Sequence, residues 1–354
     1  MNKEQRRNKA AAKALLTAAM GILFAAGCSR PQTNASEEIL SSAEIPALHV
    51  SEGKLKNGAD ETTVLRGMST HGLGWYPRYI NSASFASLKE AGANVIRLAM
   101  YSDANDGYLE EPYNLDFVYI GIENAIEQGL YVIVDWHILK DGNPLTHMEE
   151  AEDFFHEISS HYKDTPNILY EICNEPNGDT TWEDVREYAD NVIPVIRENA
   201  PGAVILVGSP EYSTAINEAM ESPLEYDNIM YSYHKYVDVS QDHEPKFYWL
   251  EKAVEMGFPV FVTEMGIADK QEIYLQEETA YDDDKPLVLE PARKFLDYLE
   301  ENQISWCGWA LSNSDEIHAA IRKECGKLSG WTEDDLTQGG KLMFSYFRGK
   351  ENRK

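Results

Sequence analysis

From about residue 60 the chain alternates between two kinds of segment. Short, β-branched, apolar runs occur at 64–68, 94–98, 131–135, 168–172, 204–207, 229–233, 260–263 and 306–309. Between most of them lie longer stretches whose apolar positions recur at helical spacing, at 82–91, 115–128, 149–161, 182–199, 247–256 and 290–301. A strand that is apolar at nearly every position is buried on both faces, as in a parallel sheet covered by helices. About eight repeats of strand then helix favour closure into a (β/α)8 TIM barrel over an open sheet. Gly92, Gly129 and Gly257 stand between helical runs and the next strands, where a C-terminal cap is wanted. The pattern predicts an α/β chain with one barrel domain over 47–354.

Two of the apolar runs end in an acid. Ile168-Leu-Tyr-Glu-Ile-Cys-Asn-Glu-Pro176 carries Glu175, and Val260-Phe-Val-Thr-Glu-Met-Gly266 carries Glu264. The C-terminal ends of barrel strands are where this architecture keeps its chemistry. Two carboxylates facing one substrate are what glycoside hydrolysis needs. A general acid has to hold its proton near neutral pH, which takes desolvation or a neighbouring negative charge. A nucleophile has to stay ionised, which takes hydrogen-bond donors or a nearby cation. Arg97, at the end of the second run, is the natural cation for Glu264, and Tyr236 the natural hydroxyl donor.

Composition narrows the partners. The 354 residues carry 60 acidic against 31 basic side chains, a formal charge of −29, with 43% hydrophobic residues. That balance argues against nucleic acid and polyanionic substrates and suits a neutral polymer, although solubility alone also accounts for it. Lys3, Arg6, Arg7, Lys9 and Lys13 form a basic start, and 14–27 is apolar, uncharged and too short to span a bilayer. Ala25-Ala-Gly-Cys28 resembles the lipobox of bacterial lipoproteins. This makes 1–28 a signal peptide, Cys28 the expected lipidation site and the cell surface the expected location. Ala25 stands where leucine is more usual, so ordinary secretion with cleavage nearby is the alternative. Residues 29–46, rich in Ser, Glu and Ala, read as a flexible tether.

Apart from Cys28, the cysteines are Cys173, Cys307 and Cys325, an odd number that gives no complete disulfide framework. Cys173 and Cys307 read as buried apolar side chains; a Cys307–Cys325 bridge is the alternative. No Cys/His spacing suggests a metal site and no Gly-rich loop suggests a phosphate. The expectation is no cofactor and no metal, a monomer, and no membrane contact beyond a lipid anchor. One acidic segment, 269–289, interrupts the rhythm after the run holding Glu264. It reads equally as a wall of the substrate cleft and as a surface insertion.

Asn174-Glu-Pro176, Glu264 in Val-Thr-Glu-Met-Gly266, and Arg66-Gly-Met-Ser-Thr-His-Gly-Leu-Gly-Trp-Tyr76 together resemble family 5 of the glycoside hydrolases, in its bacterial endo-β-1,4-glucanase branch. The resemblance runs from about residue 50 to residue 335, with the motifs in the expected order. It implies a retaining hydrolase with Glu175 as general acid/base and Glu264 as nucleophile. It also implies that Arg97 and Tyr236 attend the nucleophile and that Asn174 meets the 2-hydroxyl of the reacting sugar. His137 and His234 would line the same subsite. Trp309 matches an aromatic platform under that sugar, Trp75 a stacking residue one sugar further out, and His71 and Tyr101 its neighbours. Tyr212 stands on the leaving-group side, and Glu316 matches a sugar-contacting glutamate. Asp135 is expected to orient a neighbour rather than touch substrate, and Trp306 to point into the core.

The departures lie in the outer subsites. Met265 replaces a usual tryptophan, Ser314 stands where a lysine binds an outer glucose, and Tyr212 replaces a frequent tryptophan. The leading expectation is cleavage of cellulose or a related β-glucan. β-Mannan, lichenan and xyloglucan are the alternative substrates for the same mechanism, and a non-catalytic glycan-binding lipoprotein is the reading from a different class.

Overall fold

The computed structural model describes residues 45–163, 165–269 and 281–349. The expected signal peptide with Cys28, nearly all of the tether, and more than half of the acidic segment 269–289 lie outside the described residues.

A hairpin of β1 (His49–Ser51) and β2 (Lys54–Lys56) precedes eight strands. These are β3 (Arg66–Thr70), β4 (Val95–Tyr101), β5 (Tyr131–His137), β6 (Ile168–Glu171), β7 (Ile205–Val207), β8 (Ile229–Asp238), β9 (Val260–Ala268) and β10 (Trp306–Leu311). They form a closed barrel in sequence order, with β10 returning to pair with β3, and all neighbours are parallel. The expected (β/α)8 barrel is the fold.

The helices include α1 (Ser82–Ala91), α2 (Asn114–Glu127), α3 (Met148–His161), α4 (Trp182–Asn199), α5 (Ile216–Glu221), α6 (Tyr248–Met256), α7 (Glu290–Glu301) and α8 (Gln338–Tyr346). Helices α1, α4 and α7 have the bounds that the apolar spacing predicts. Helix α5 is too short to establish a period. Helix α8 has Gly339-Gly340 in its first turn, which hides it from propensity, and is started instead by Thr337, whose hydroxyl accepts from the Gly340 N–H at 2.9 Å. Gly92 and Gly257 cap α1 and α6 with φ of 111° and 66°, the left-handed conformation that glycine adopts without penalty.

Side-chain parity along the strands decides where the chemistry sits, because successive residues face opposite sides of the sheet. Ile96, Leu98, Val132, Val134, Trp136 and Tyr170 face the helices in the outer core. Val95, Ile133, Leu169, Leu206, Met230, Phe261 and Cys307 fill the lumen near the strand starts, with Leu48 and Leu55 joining them from the hairpin region. The next lumen positions on the same parity are Arg97, Asp135 and Glu171, all fully buried. The barrel interior thus passes from apolar to ionic along its axis toward the strand C-termini. Trp306 faces the outer core and stacks on Phe347, as parity predicts. Cys173 and Cys307 are buried, and Cys173, Cys307 and Cys325 are all free thiols.

Strands β8 and β9 run well beyond the expected apolar stretches. His234 and Tyr236 are polar but continue the lumen parity of β8 instead of ending the strand, whereas Glu264, three residues after the lumen-facing Phe261, breaks the alternation of β9. A register shift between Ser232 and His234 brings His234 opposite Glu264. Gly266 then lies opposite Tyr236, and a Cβ there would meet the Tyr236 ring at 2.6 Å. Glycine at 266 leaves the room that the ring occupies.

Candidate active site

Arg97 organises one half of the site. Its guanidinium offers five N–H donors in a rigid fork. Nε donates to Glu171 Oε2 at 2.6 Å, and Nη1 to Glu264 Oε2 at 3.0 Å and Ser69 Oγ at 3.3 Å. Nη2 donates to Asn174 Oδ1 at 2.7 Å and lies 3.0 Å from Asp135 Oδ2. The other Glu264 oxygen accepts the Tyr236 hydroxyl at 2.7 Å. Burial pushes the Glu264 carboxyl up, but the charges of His234 and Arg97 and the tyrosine hydrogen bond outweigh it and hold Glu264 below its ordinary range. Burial and the charges of Glu264 and Glu175 push the Tyr236 hydroxyl far up, so it stays a donor.

His234 organises the other half. Its Nδ1 donates to Glu175 Oε1 at 2.7 Å, and Nε2 lies 3.0 Å from Thr263 Oγ1 and 3.9 Å from Glu171 Oε1. Burial alone would lower this imidazole, but the charge of Glu264, the nearby Glu171 carboxylate and the hydrogen bond to Glu175 push it up to about 10, so the ring is cationic at neutral pH. Glu175 moves the opposite way to Glu264. Burial pushes it up and the His234 contact only partly offsets this. An oxygen of Glu175 and one of Glu264 lie within 4.8 Å of each other. The His234 ring completes a trio of cation-ligating type within the same 4.8 Å. Its donor atoms are already committed to one another and to Arg97 and Tyr236.

His137 donates Nδ1–H to Asp135 at 2.6 Å and accepts at Nε2 from Asn174 Nδ2 at 3.2 Å. Burial and the Arg97 charge push His137 well below its usual value, which fits this neutral tautomer. Asn174 Nδ2 also donates to the Ile138 carbonyl at 3.1 Å. Both amide hydrogens are therefore engaged, and a sugar hydroxyl would replace His137 as acceptor.

Aromatic rings form the floor and one wall. Trp309 is stacked on His137 at 5.3 Å and 17° and lies 5.3 Å from His71. Tyr101 bridges His137 at 4.1 Å and Trp75 at 4.5 Å. Trp75 is fixed by its indole N–H to the Asn105 carbonyl at 2.9 Å. A Cβ at Gly72 would strike the Trp75 ring at 2.7 Å, so glycine there lets the ring fold back. His71 and His318 converge on Glu316 at 3.1 and 3.4 Å, and Ser314 also donates to it. Burial pushes Glu316 up, but the two histidines hold it far below its ordinary range. Tyr212 stands apart, exposed on a turn after β7 with φ of 59°, its N–H donated to the Pro176 carbonyl at 3.0 Å.

Among the described residues, all the candidates except Tyr212 therefore fall into one connected cluster, and Tyr212 touches only the Pro176 carbonyl next to Glu175. Sequence reasoning missed Glu171, Ser69, Ser232, Thr263 and His318. Glu171 carried a readable signal, since an acid inside an apolar strand run needs a buried partner. Ser69, Ser232 and Thr263 carried none, since hydroxyls are ordinary in strands.

The comparisons with known proteins identify the family. The family model for cellulase (glycosyl hydrolase family 5) matches residues 56–315. Endoglucanase A of Butyrivibrio fibrisolvens is 41% identical over 298 residues, covering 82% of this chain and 66% of that relative. The endoglucanase of Clostridium saccharobutylicum is 39% identical over 280 residues, 78% of this chain and 59% of that one. The chain thus spans about two thirds or less of these relatives' length. The catalytic domain of Thermobifida fusca endoglucanase Cel5A superposes with a TM-score of 0.77 at 32% identity, covering 86% of this chain and 98% of that one. A complex of that domain with cellotetraose gives a TM-score of 0.76. With a family model matched over most of its length, and with relatives of this identity, the chain belongs to glycosyl hydrolase family 5, the cellulase family.

Proposed function

We propose that the protein is a retaining endo-β-1,4-glucanase acting on cellulose or a related β-glucan. The observation that carries this is the pair Glu175 and Glu264, with oxygens within 4.8 Å of each other in opposed electrostatic settings. Retaining glycosidases hold their carboxyl groups about 5–5.5 Å apart, and inverting ones leave room for a water between them. Glu264, held ionised by Arg97 and His234, attacks the anomeric carbon and forms a glycosyl ester. Glu175, whose proton burial helps to retain, gives that proton to the departing glycosidic oxygen. It then takes a proton from the water that opens the ester. Tyr236 and Arg97 orient the attacking carboxylate, and Trp309 offers a flat apolar face to the sugar ring.

The cellotetraose bound to the Thermobifida domain supports a β-glucan substrate. One observation favours a broader range. Ser314 and His318 bind Glu316 where the related branch places a lysine, so the outer subsite presents different donors. Initial rates on carboxymethyl-cellulose, lichenan and galactomannan decide the substrate. The anomer first released from a cello-oligosaccharide, read by NMR, decides the mechanism, and an α-product would overturn it. The basic and apolar leader ending in Cys28 supports a secreted, lipid-anchored protein. Radiolabelled palmitate incorporation that persists in Cys28→Ala would reject the anchor.

A further inference from the structure

Glu171 is fully buried at the end of β6, and no step of the reaction above uses it. It touches both halves of the site. One oxygen takes the Nε–H of Arg97 at 2.6 Å, and the other accepts the Ser232 hydroxyl at 2.7 Å and lies 3.9 Å from His234 Nε2. Arg97 holds the nucleophile Glu264, and His234 holds the acid Glu175. We propose that Glu171 is a positioning residue for the reaction, fixing Arg97 on one side and His234 on the other so that Glu264 and Glu175 stay aimed at the substrate. This rests on the retaining mechanism proposed above.

The geometry of the arginine gives the first argument. Nε carries a single hydrogen, and Glu171 takes it. The two terminal nitrogens then spread over Glu264, Ser69, Asn174 and Asp135, contributed from separate parts of the barrel. Anchoring the Nε edge removes rotation of the fork about its own stem. The Glu171 carboxylate adds ion-pair attraction to this hydrogen bond, which a neutral side chain of the same shape would lack, so it would anchor the fork less well.

Charge during turnover gives the second argument. When Glu264 becomes a glycosyl ester it loses its negative charge, and Arg97 and His234 lose an anion in a buried place. An unpaired buried charge is costly. The groups facing Glu171 are Arg97 on β4, Asp135 and His137 on β5, Cys173 after β6, Ser232 and His234 on β8, Glu264 on β9 and Cys307 on β10. Burial pushes Glu171 up, but Arg97 and His234 outweigh it and bring it to about 2. It is therefore a fixed anion across the working range. It keeps both cations compensated while the nucleophile is esterified, whereas burial pushes Asp135 well above the usual carboxylate range.

The test is Glu171→Gln in the whole chain, with two readouts. The first is the NMR titration of the His234 ring without substrate, whose midpoint should fall by at least one pH unit, a tenfold change in proton affinity. The second is turnover of an aryl β-cellobioside at neutral pH, where kcat should fall tenfold or more with KM within threefold. A His234 midpoint that does not move, or a kcat within twofold of wild type, overturns the proposal. A purely structural role would lower stability without displacing that midpoint. If the glutamine variant does not fold, Ser232→Ala carries the test, because it leaves every charge in place and removes one bond to Glu171. A kcat reduced threefold or more with unchanged KM supports the role, and an unchanged kcat overturns it. If the wild-type chain cleaves no β-glucan, the enzymatic reading fails, while the substrate-free titration still decides whether Glu171 governs His234.

Discussion

His234 donates to Glu175 across 2.7 Å, so the proposed general acid is bonded to a cation. A cation lowers a neighbouring carboxyl, yet Glu175 lies above its ordinary range because burial is the larger influence. The histidine therefore tunes the acid downward from where burial alone would put it. It is also the largest of the influences that lower Glu264. Activity requires Glu264 ionised and Glu175 protonated, so kcat/KM rises with pH through the first and falls through the second. Removing the cation in His234→Asn raises both. Both limbs of the kcat/KM profile are expected to move to higher pH, with a lower maximum. The profile measured against wild type on a soluble aryl cellobioside checks this, and limbs that stay in place would reject it.

The same histidine makes stability depend on pH. Its folded value of about 10 lies above the ordinary 6.5. The stability it contributes is fully present below about 6.5 and is lost as pH rises through about 10. Glu171 works in the opposite sense, with a folded value of about 2 below the ordinary 4.5. Its contribution is present above about 4.5 and is lost as pH falls toward 2. Thermal unfolding followed across this range should show Tm falling at both ends. The alkaline part of that fall should shrink in His234→Asn while the acid part remains. Superimposable alkaline slopes in the two proteins would show that His234 is not the source.

Truncating each carboxylate separates the roles of the pair. Glu264→Ala removes the nucleophile and is expected to abolish turnover on every substrate. Glu175→Ala removes a proton donor, and general acid catalysis is worth about 10²–10⁴-fold. That loss should appear on cello-oligosaccharides. The first step should survive on aryl cellobiosides whose leaving groups need no proton, so that the glycosyl-enzyme accumulates. A burst of released phenol followed by slow turnover, which added azide accelerates, is the expected record. Equal loss on both substrate types would contradict the assignment.

The barrel was legible because its strands are apolar on both faces and its helices are long enough to show their period. Helices α1, α4 and α7 followed directly from spacing. The site was legible where a motif concentrates unusual residues, as Asn174-Glu-Pro176 and the 260–266 run do. It was less legible where function continues a strand without changing its look. Strands β8 and β9 looked shorter than they are because His234, Tyr236 and Glu264 read as ends of apolar runs. Glu171 was passed over because it lies inside the strand whose end drew attention. Ser69, Ser232 and Thr263 gain meaning only when barrel closure brings β3, β8 and β9 around one arginine and one histidine. His318 reaches Glu316 through a turn that no period foretells.

Far from the site, Arg66 at the start of β3 grips Glu300 in the last turn of α7 with two parallel hydrogen bonds of 2.7 and 2.9 Å. The glutamate side chain is 1% exposed and the arginine side chain 18% exposed. The pair closes the barrel where β3 meets β10, so it ties the first barrel strand to the helix before the last. Arg66→Ala leaves a carboxylate buried without its guanidinium, and breaking a buried pair from one side typically costs about 3–5 kcal/mol. Glu300→Gln keeps the shape and removes the charge, so its cost should be smaller. Replacing both residues by leucine should cost less than Arg66→Ala alone, since no buried charge is then left behind. Urea denaturation followed by tryptophan fluorescence measures all three, with the loss expected in the midpoint and an unchanged slope. An Arg66→Ala midpoint equal to wild type would mean that water reaches Glu300 and that the pair contributes no more than a surface ion pair does.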